Sequence, residues 1–149
     1  MANQYAVNHK KRHVTVPAKL TDVADQGGRM RVLYDKFTFT TSGELTVGDT
    51  ISFGKLPPGA KVWDASLHQS ATLASSTTLA LGITGTAAAF LAAAASTAVG
   101  TRHMREGVSN ITLVPVTITS ETTVIATLAG ANTTSTAAFV EVRIYYTVD

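Results

Sequence analysis

Residues 61–73 read KVWDASLHQSATL, and apolar and polar side chains alternate along most of this stretch. One set of alternate positions is mainly apolar: Trp63, Ala65, Leu67, Ala71 and Leu73. The other set is polar: Asp64, Ser66, His68, Ser70 and Thr72. Because successive side chains of a β-strand point to opposite faces, this period of two predicts a long strand with one face in the protein interior. Gln69 breaks the pattern on the apolar face, and Trp63 is expected to be buried.

Further strands are predicted on both sides of this segment. Period-two alternation recurs in residues 77–83, 121–128 and 139–148. In the last of these the expected inward side chains are Val140, Val142, Ile144, Tyr146 and Val148. Aromatic or β-branched runs also predict strands at 29–41, 50–53 and 111–119, where Pro115 suits an edge strand or a bulge. About seven or eight antiparallel strands with closely spaced turns are typical of an all-β sandwich or jelly roll.

One segment departs from this strand pattern. Residues 87–95 read AAAFLAAAA, in which Phe90 and Leu91 are the only large side chains. Alanine has the highest helix propensity, so we expect a short helical insertion between two strands. The segment is less than half the length that a membrane-spanning helix needs.

The N-terminal region differs in charge from the rest of the chain. The 149 residues have a formal net charge of +2, but the first 19 contain no acidic residue. We interpret residues 1–28 as an extended basic arm and residues 29–149 as the β-sandwich domain. The basic side chains that mark the arm are Lys10, Lys11, Arg12, His13 and Lys19. Three roles stay open for them: a solvated tail, a nucleic-acid contact, and docking on an acidic protein surface.

Motifs that carry catalysis are not apparent. There is no cysteine, which excludes disulfides and thiolate chemistry. His9 and His13 have the spacing of two metal ligands on a helix, but the cations between them would repel a metal ion. The chain has no Gly-x-Ser-x-Gly segment and no phosphate-binding glycine loop. We expect a protein without enzymatic activity, cofactor, metal, small-molecule substrate or membrane segment. The N-terminal region also lacks the apolar core of a signal peptide, so we expect a protein that is made and used without secretion.

Several segments resemble the capsid cement proteins of tailed bacteriophages. They are residues 29–67, which contain GDTISFGKLPPGAKVWDA at 48–65, residues 76–83 (STTLALGI), and residues 140–149 (VEVRIYYTVD). A short Ala-rich insertion follows the second segment in that pattern, and the resemblance extends over about four-fifths of the chain. It implies a jelly roll that is made in the host cytoplasm, binds the outer capsid surface as a homotrimer, bridges neighbouring major capsid proteins and stabilises the head in the virion. The basic arm and the polar loop at 101–107 have no counterpart in that pattern.

Two other functions compete with this interpretation. A virion-associated β-sandwich that recognises host glycans would display aromatic side chains in loops, but Tyr5 is the only aromatic residue outside the predicted strands and insertion. A nucleic-acid-binding module would need a basic groove, but the sequence outside the arm supplies none, and its aromatic residues sit inside predicted strands or the insertion. The sequence therefore favours a structural protein that binds other protein subunits.

Overall fold

The computed structural model describes residues 28–104 and 115–148. Nine β-strands and no helix are present in these two ranges. The strands are β1 (Met30–Thr38), β2 (Thr50–Leu56), β3 (Lys61–Gln69), β4 (Thr78–Ile83), β5 (Thr86–Ala95), β6 (Gly100–His103), β7 (Val116–Thr117), β8 (Thr122–Ala129) and β9 (Phe139–Thr147). The all-β prediction is therefore confirmed for the described part of the chain.

The strands form two antiparallel sheets. The first sheet has the order β1-β9-β3-β6, with the short β7 also paired to β3. The second sheet has the order β2-β8-β4-β5. Chain neighbours such as β1 and β2, or β8 and β9, lie in different sheets, so the chain crosses repeatedly between the two layers. Most paired strands are far apart in sequence, as β1 and β9 are, whereas β4 and β5 form a hairpin.

The core lies between the two sheets. Alternate residues of β8 and β9 point inward, as their sequence pattern predicts, and Val124, Val140 and Ile144 are fully buried. The same cluster contains Leu79 and Leu81 of β4, together with Leu67 of β3. Removal of this apolar surface from water is the main force that joins the layers.

Buried polar groups also join separate parts of the sandwich. Gln69 is 4% exposed on the inner face, where its side-chain amide donates to the carbonyl of Ala98. Arg102 of β6 donates to two carbonyls of the second sheet, Leu79 O at 2.9 Å and Ala92 O at 3.3 Å. Burial lowers the pKa of Arg102 below its usual value, because desolvation disfavours the charged form. These contacts explain how polar residues are accommodated beside an apolar core.

The predicted phase of the long strand is wrong at Trp63. Val62 pairs with Tyr146, whereas Asp64 pairs with Tyr145, so Trp63 is an extra residue in a β-bulge. Val62 is fully buried, and Trp63 is only half-buried. The Trp63 indole Nε1 donates to Thr147 Oγ1 at 2.9 Å, which satisfies its polar atom. Beyond the bulge, Ala65 and Leu67 are buried as predicted.

The predicted helix at 87–95 is also wrong, because these residues lie in β5. The strand pairs with β4, and its bulges place ten residues beside six. The irregular pairing buries both Phe90 and Leu91, although neighbours in a regular strand point to opposite faces. Tertiary pairing thus outweighs the high helix propensity of alanine, because propensity is only a weak preference beside tertiary contacts.

Some of the other predicted strand boundaries agree with the structure, and others differ from it. The strand predicted at 29–41 is β1, and the strand predicted at 50–53 extends to Leu56. Of the strand predicted at 111–119, residues 111–114 lie outside the described residues and only Val116–Thr117 is a strand. Residues 101–103, predicted as part of a polar loop, belong to β6, and residues 105–107 are outside the described part.

Candidate interaction surface

The side chains of the first sheet that point away from the core form an outer face. Strand pairing places them in rows across four strands. One row contains Tyr34, Arg143, Ser66 and His103, and the next contains Lys36, Glu141, His68 and Thr101. Residues in a row come from β1, β9, β3 and β6, in that order. Folding therefore brings together polar groups from both ends of the described chain.

Glu141 organises the first part of this outer face. Its Oε2 accepts a hydrogen bond from the Tyr34 hydroxyl at 3.2 Å, and its Oε1 accepts one from Arg143 Nη2 at 2.7 Å. The guanidinium carbon of Arg143 also lies 5.7 Å from the centre of the Tyr34 ring. Partial desolvation, followed by the Glu141 carboxylate, raises the pKa of the Tyr34 phenol above its usual value. The hydrogen-bonded pairs hold all three side chains against the sheet.

His68 lies in the neighbouring row. Its Nδ1 is 2.8 Å from Thr101 Oγ1, and its ring centre is 5.8 Å from that of Phe139. The Lys36 ammonium lies 3.9 Å from the centre of the same Phe139 ring, a cation–π geometry. His68 was expected on the polar face, either solvated or at an interface; it is half-buried on that face.

A shallow depression of about 290 Å³ opens between these rows. Its lining residues are Ser66, His68, Thr101, Glu141 and Arg143. Ser66 is only 7% exposed, whereas the Arg143 side chain is 52% exposed. The depression therefore combines the hydroxyl of a largely buried serine with an accessible cation.

An apolar margin lies beside the polar rows. Met30, Val32 and Tyr34 alternate along β1, so they share the outer face, and they are 59%, 53% and 55% exposed. Within the described residues β1 pairs only with β9 and forms one edge of its sheet. Exposed apolar side chains on an edge strand are typical of a surface that contacts another protein.

The site residues predicted from sequence are the basic side chains of the arm. Lys10, Lys11, Arg12, His13 and Lys19 all lie outside the described residues.

His103 was predicted in a basic loop, but it lies in β6, with its Nδ1 3.9 Å from Asp64 Oδ2. Among the described residues, no group of three or more His, Cys, Asp or Glu side chains is arranged to hold a metal ion. No helix in the same ranges has the length and apolarity needed to cross a membrane.

The Glu141 cluster was missed by sequence reasoning. Glu141 and Arg143 are two residues apart on one strand, which is the only local signal that they share a face. Tyr34, which bonds to Glu141, and Ser66, which lies opposite Arg143, come from strands much earlier in the chain. Only the register between strands reveals the cluster.

Three solved structures contain chains with a similar fold. A chain of the cyanophage Pam1 capsid asymmetric unit has a TM-score of 0.67 and 24% sequence identity, and the match covers 91% of this chain and 96% of that chain. A chain of the capsid of Ralstonia phage GP4 has a TM-score of 0.60 and 20% identity, with 80% and 85% covered. A chain of the acid-stable capsid of Helicobacter pylori bacteriophage KHP30 has a TM-score of 0.57 and 21% identity, with 80% and 87% covered.

No protein-family model and no curated protein matches the sequence. At the identities of the three solved structures, the likeness shows a shared fold. The chain thus has a fold that is found in phage capsid structures.

Proposed function

We propose that this chain is a structural virion protein that binds the outer surface of a phage capsid, bridges neighbouring major capsid proteins and stabilises the head. The observation that carries this proposal is the fold shared with a chain of the Pam1 capsid over nearly the whole of both chains. It agrees with the resemblance of residues 48–65, 76–82 and 140–149 to cement proteins. Nothing in this function requires a chemical reaction, which accords with a non-enzymatic protein.

The strand order supports a jelly roll. Two four-stranded paths, β1-β9-β3-β6 and β2-β8-β4-β5, place successive strands mostly in opposite sheets. Eight strands distributed in this way over two sheets are typical of viral capsid jelly rolls, and β7 is a short addition. Most of its strand pairs join segments that are distant in sequence, and the two sheets share one buried core.

We propose that the outer face of the first sheet meets the shell. Its apolar margin at Met30, Val32 and Tyr34 offers surface to bury, and the polar rows beside it offer hydrogen-bonding groups. Protein interfaces commonly combine an apolar centre with a polar rim. As a homotrimer the chain presents three such faces, and multivalency turns three modest contacts into lasting attachment.

The basic arm is a second proposed contact. Lys10, Lys11, Arg12, His13 and Lys19 would dock on an acidic surface of the major capsid protein and reach a neighbouring subunit. Replacing Lys10, Lys11 and Arg12 with Ala should reduce the occupancy of heads and weaken the dependence of binding on salt. Lys55→Ala is the matched control, since it removes one cation from the sandwich. Equal occupancy for both variants would exclude the arm as a docking element.

The test of the proposed function compares heads with and without this protein. Heads made without it should release DNA at a lower temperature, and addition of the purified chain should restore their resistance. The added chain should also sediment with the heads. Failure to sediment, together with equal heat resistance of the two preparations, would contradict the proposal.

A further inference from the structure

We propose that the depression lined by Ser66, His68, Thr101, Glu141 and Arg143 binds a carboxylate side chain of a partner protein. All five residues that line the depression are described by the structure. That the partner is the major capsid protein rests on the proposed function.

The first reason is an unused hydrogen-bond donor. Ser66 is 7% exposed and lines the depression, yet its hydroxyl has no hydrogen-bond partner among residues 28–104 and 115–148. The fully enclosed side-chain atoms without a partner in these ranges are Ser96 Oγ and Thr127 Oγ1, so the Ser66 hydroxyl opens into the depression, where a ligand oxygen can replace water as its partner. A ligand atom in the depression would supply the partner that Ser66 lacks.

The second reason is the remaining capacity of Arg143. A guanidinium has five N–H donors, and the contact with Glu141 uses Nη2 at 2.7 Å. The Arg143 side chain is 52% exposed, so other N–H groups face the depression and solvent. Planar, forked donors match the two oxygens of a carboxylate better than they match a single acceptor.

The third reason is the local balance of charge. Among the described residues, Glu141 is the only carboxylate that lines the depression, and both of its oxygens already accept hydrogen bonds. Two positive charges lie beside this one negative charge: Lys36, which pairs with Glu141 across the sheet, and Arg143. Asp64 lies on the same face, in the next row along β3, where it approaches His103 instead. A cationic side chain would meet Arg143, whereas a carboxylate would meet a surplus of donors.

The depression suits a single side chain. Its volume of about 290 Å³ lies just below the range for small-molecule pockets, which starts at about 300 Å³. A standard protein interface buries about 800 Å² on each partner, so a partner that binds this face would also cover the depression. An Asp or Glu side chain projecting from a capsid protein could therefore enter it while the apolar margin of β1 makes the surrounding contact.

The test uses two probes that differ only in the side chain, N-acetylglutamate α-amide and N-acetylglutamine α-amide. Each is titrated into the full-length protein while amide and side-chain NMR signals are recorded. We expect saturable shifts in the millimolar range at Ser66, His68 and Arg143 with the acid, and none with the amide. No saturable shift with the acid, or equal shifts with the amide, would overturn the carboxylate assignment.

Two variants locate the binding. Arg143→Gln should weaken binding of the acid by roughly tenfold or more, because it removes a charged hydrogen bond. Ser66→Ala should weaken it by about threefold, and it leaves the charge and the strand pairing unchanged. Lys55→Gln is the control, because Lys55 pairs with Glu121 beside the second sheet. Unchanged affinity of Ser66→Ala, in a variant with wild-type thermal stability, would contradict the inference.

Binding to heads separates this inference from the proposed function. If the wild-type chain binds heads but shows no acid-specific shifts, the depression is not the docking site and the proposed function stands. If the acid binds in the depression but the chain does not bind heads, the proposed function fails and the carboxylate site stands.

Discussion

Replacing Gly130 with Ala tests the packing of the sandwich at a single atom. Gly130 follows the last residue of β8 and has φ +87°, a conformation that L-residues seldom adopt. A Cβ placed there lies 2.0 Å from Ser76 O, far inside the contact distance. Either the Gly130 segment or the chain around Ser76 must therefore move.

The neighbouring chain has little freedom to move. Thr77 is fully buried, its Oγ1 donates to Ala131 O at 3.1 Å, and its carbonyl accepts a hydrogen bond from Ser96 N at 2.8 Å. The positive φ costs an alanine about 1–2 kcal/mol. Forcing an extra methyl group into a closed site costs about 1–3 kcal/mol more. The sum is large beside the ~5–15 kcal/mol that typically stabilises a domain.

Two other glycines separate these contributions. Gly59 has φ +80° and nothing within 4 Å of its Cβ position, so Gly59→Ala carries the conformational cost alone. Gly82 has no positive φ, but its Cβ position is 2.2 Å from Thr86 O, so Gly82→Ala carries the clash alone. The difference between Gly130→Ala and Gly59→Ala also cancels the loss of unfolded-chain entropy common to both. We expect that difference to be about 1–3 kcal/mol.

Urea unfolding at one fixed protein concentration measures these free energies. The midpoint should fall least for Gly59→Ala and most for Gly130→Ala, with similar slopes for all variants. If Gly130→Ala and Gly59→Ala were equally stable, the close approach of Ser76 to the end of β8 would be refuted.

Three further predictions concern polar side chains. Trp63→Phe should lower the free energy of unfolding by about 1 kcal/mol, since it removes the hydrogen bond to Thr147; an unchanged urea midpoint would contradict that contact. Glu44 accepts hydrogen bonds from two backbone N–H groups, chiefly that of Thr40, and these lower the pKa of its carboxyl below 4.5. Its contribution to stability should therefore be full at neutral pH and be lost as the pH falls from 4.5 through the lowered pKa. The melting temperature of Glu44→Gln should accordingly depend less on pH across this range than that of the wild type. Lys55→Gln should change stability by less than about 1 kcal/mol, because its ion pair with a carboxylate is exposed; a larger loss in urea unfolding would show that the pair is structural.

Regular alternation made the core predictable. In β8 and β9 every second side chain is apolar up to Ile144, and the structure buries those side chains; at the end of β9 the pattern fails, because Tyr146 is only partly buried and Thr147, predicted outward, is buried. The same reasoning failed at Trp63, because one extra residue in a bulge reverses the facing of the strand before it. Nothing local in the sequence marks that residue, since Val62 and Trp63 are both apolar.

Non-local pairing explains the remaining differences. Residues 87–95 have the composition of a helix, yet pairing with β4 makes them a strand. The cluster around Glu141 depends on the register of β1, β9 and β3, whose members are widely separated in sequence. Sequence pattern can place each of these residues on a face, but it cannot say which residue lies beside it. The basic residues of the arm remain a prediction.

The most direct measurement is a cryo-EM reconstruction of phage heads that lack this protein, before and after the purified chain is added. The proposed function predicts additional density on the outside of the shell, in threefold-related copies that bridge neighbouring capsid subunits. The outer face of the first sheet, with Tyr34 and Arg143, should lie against the shell. Absence of added external density would contradict the proposed function, and density with this face toward solvent would contradict the proposed interface.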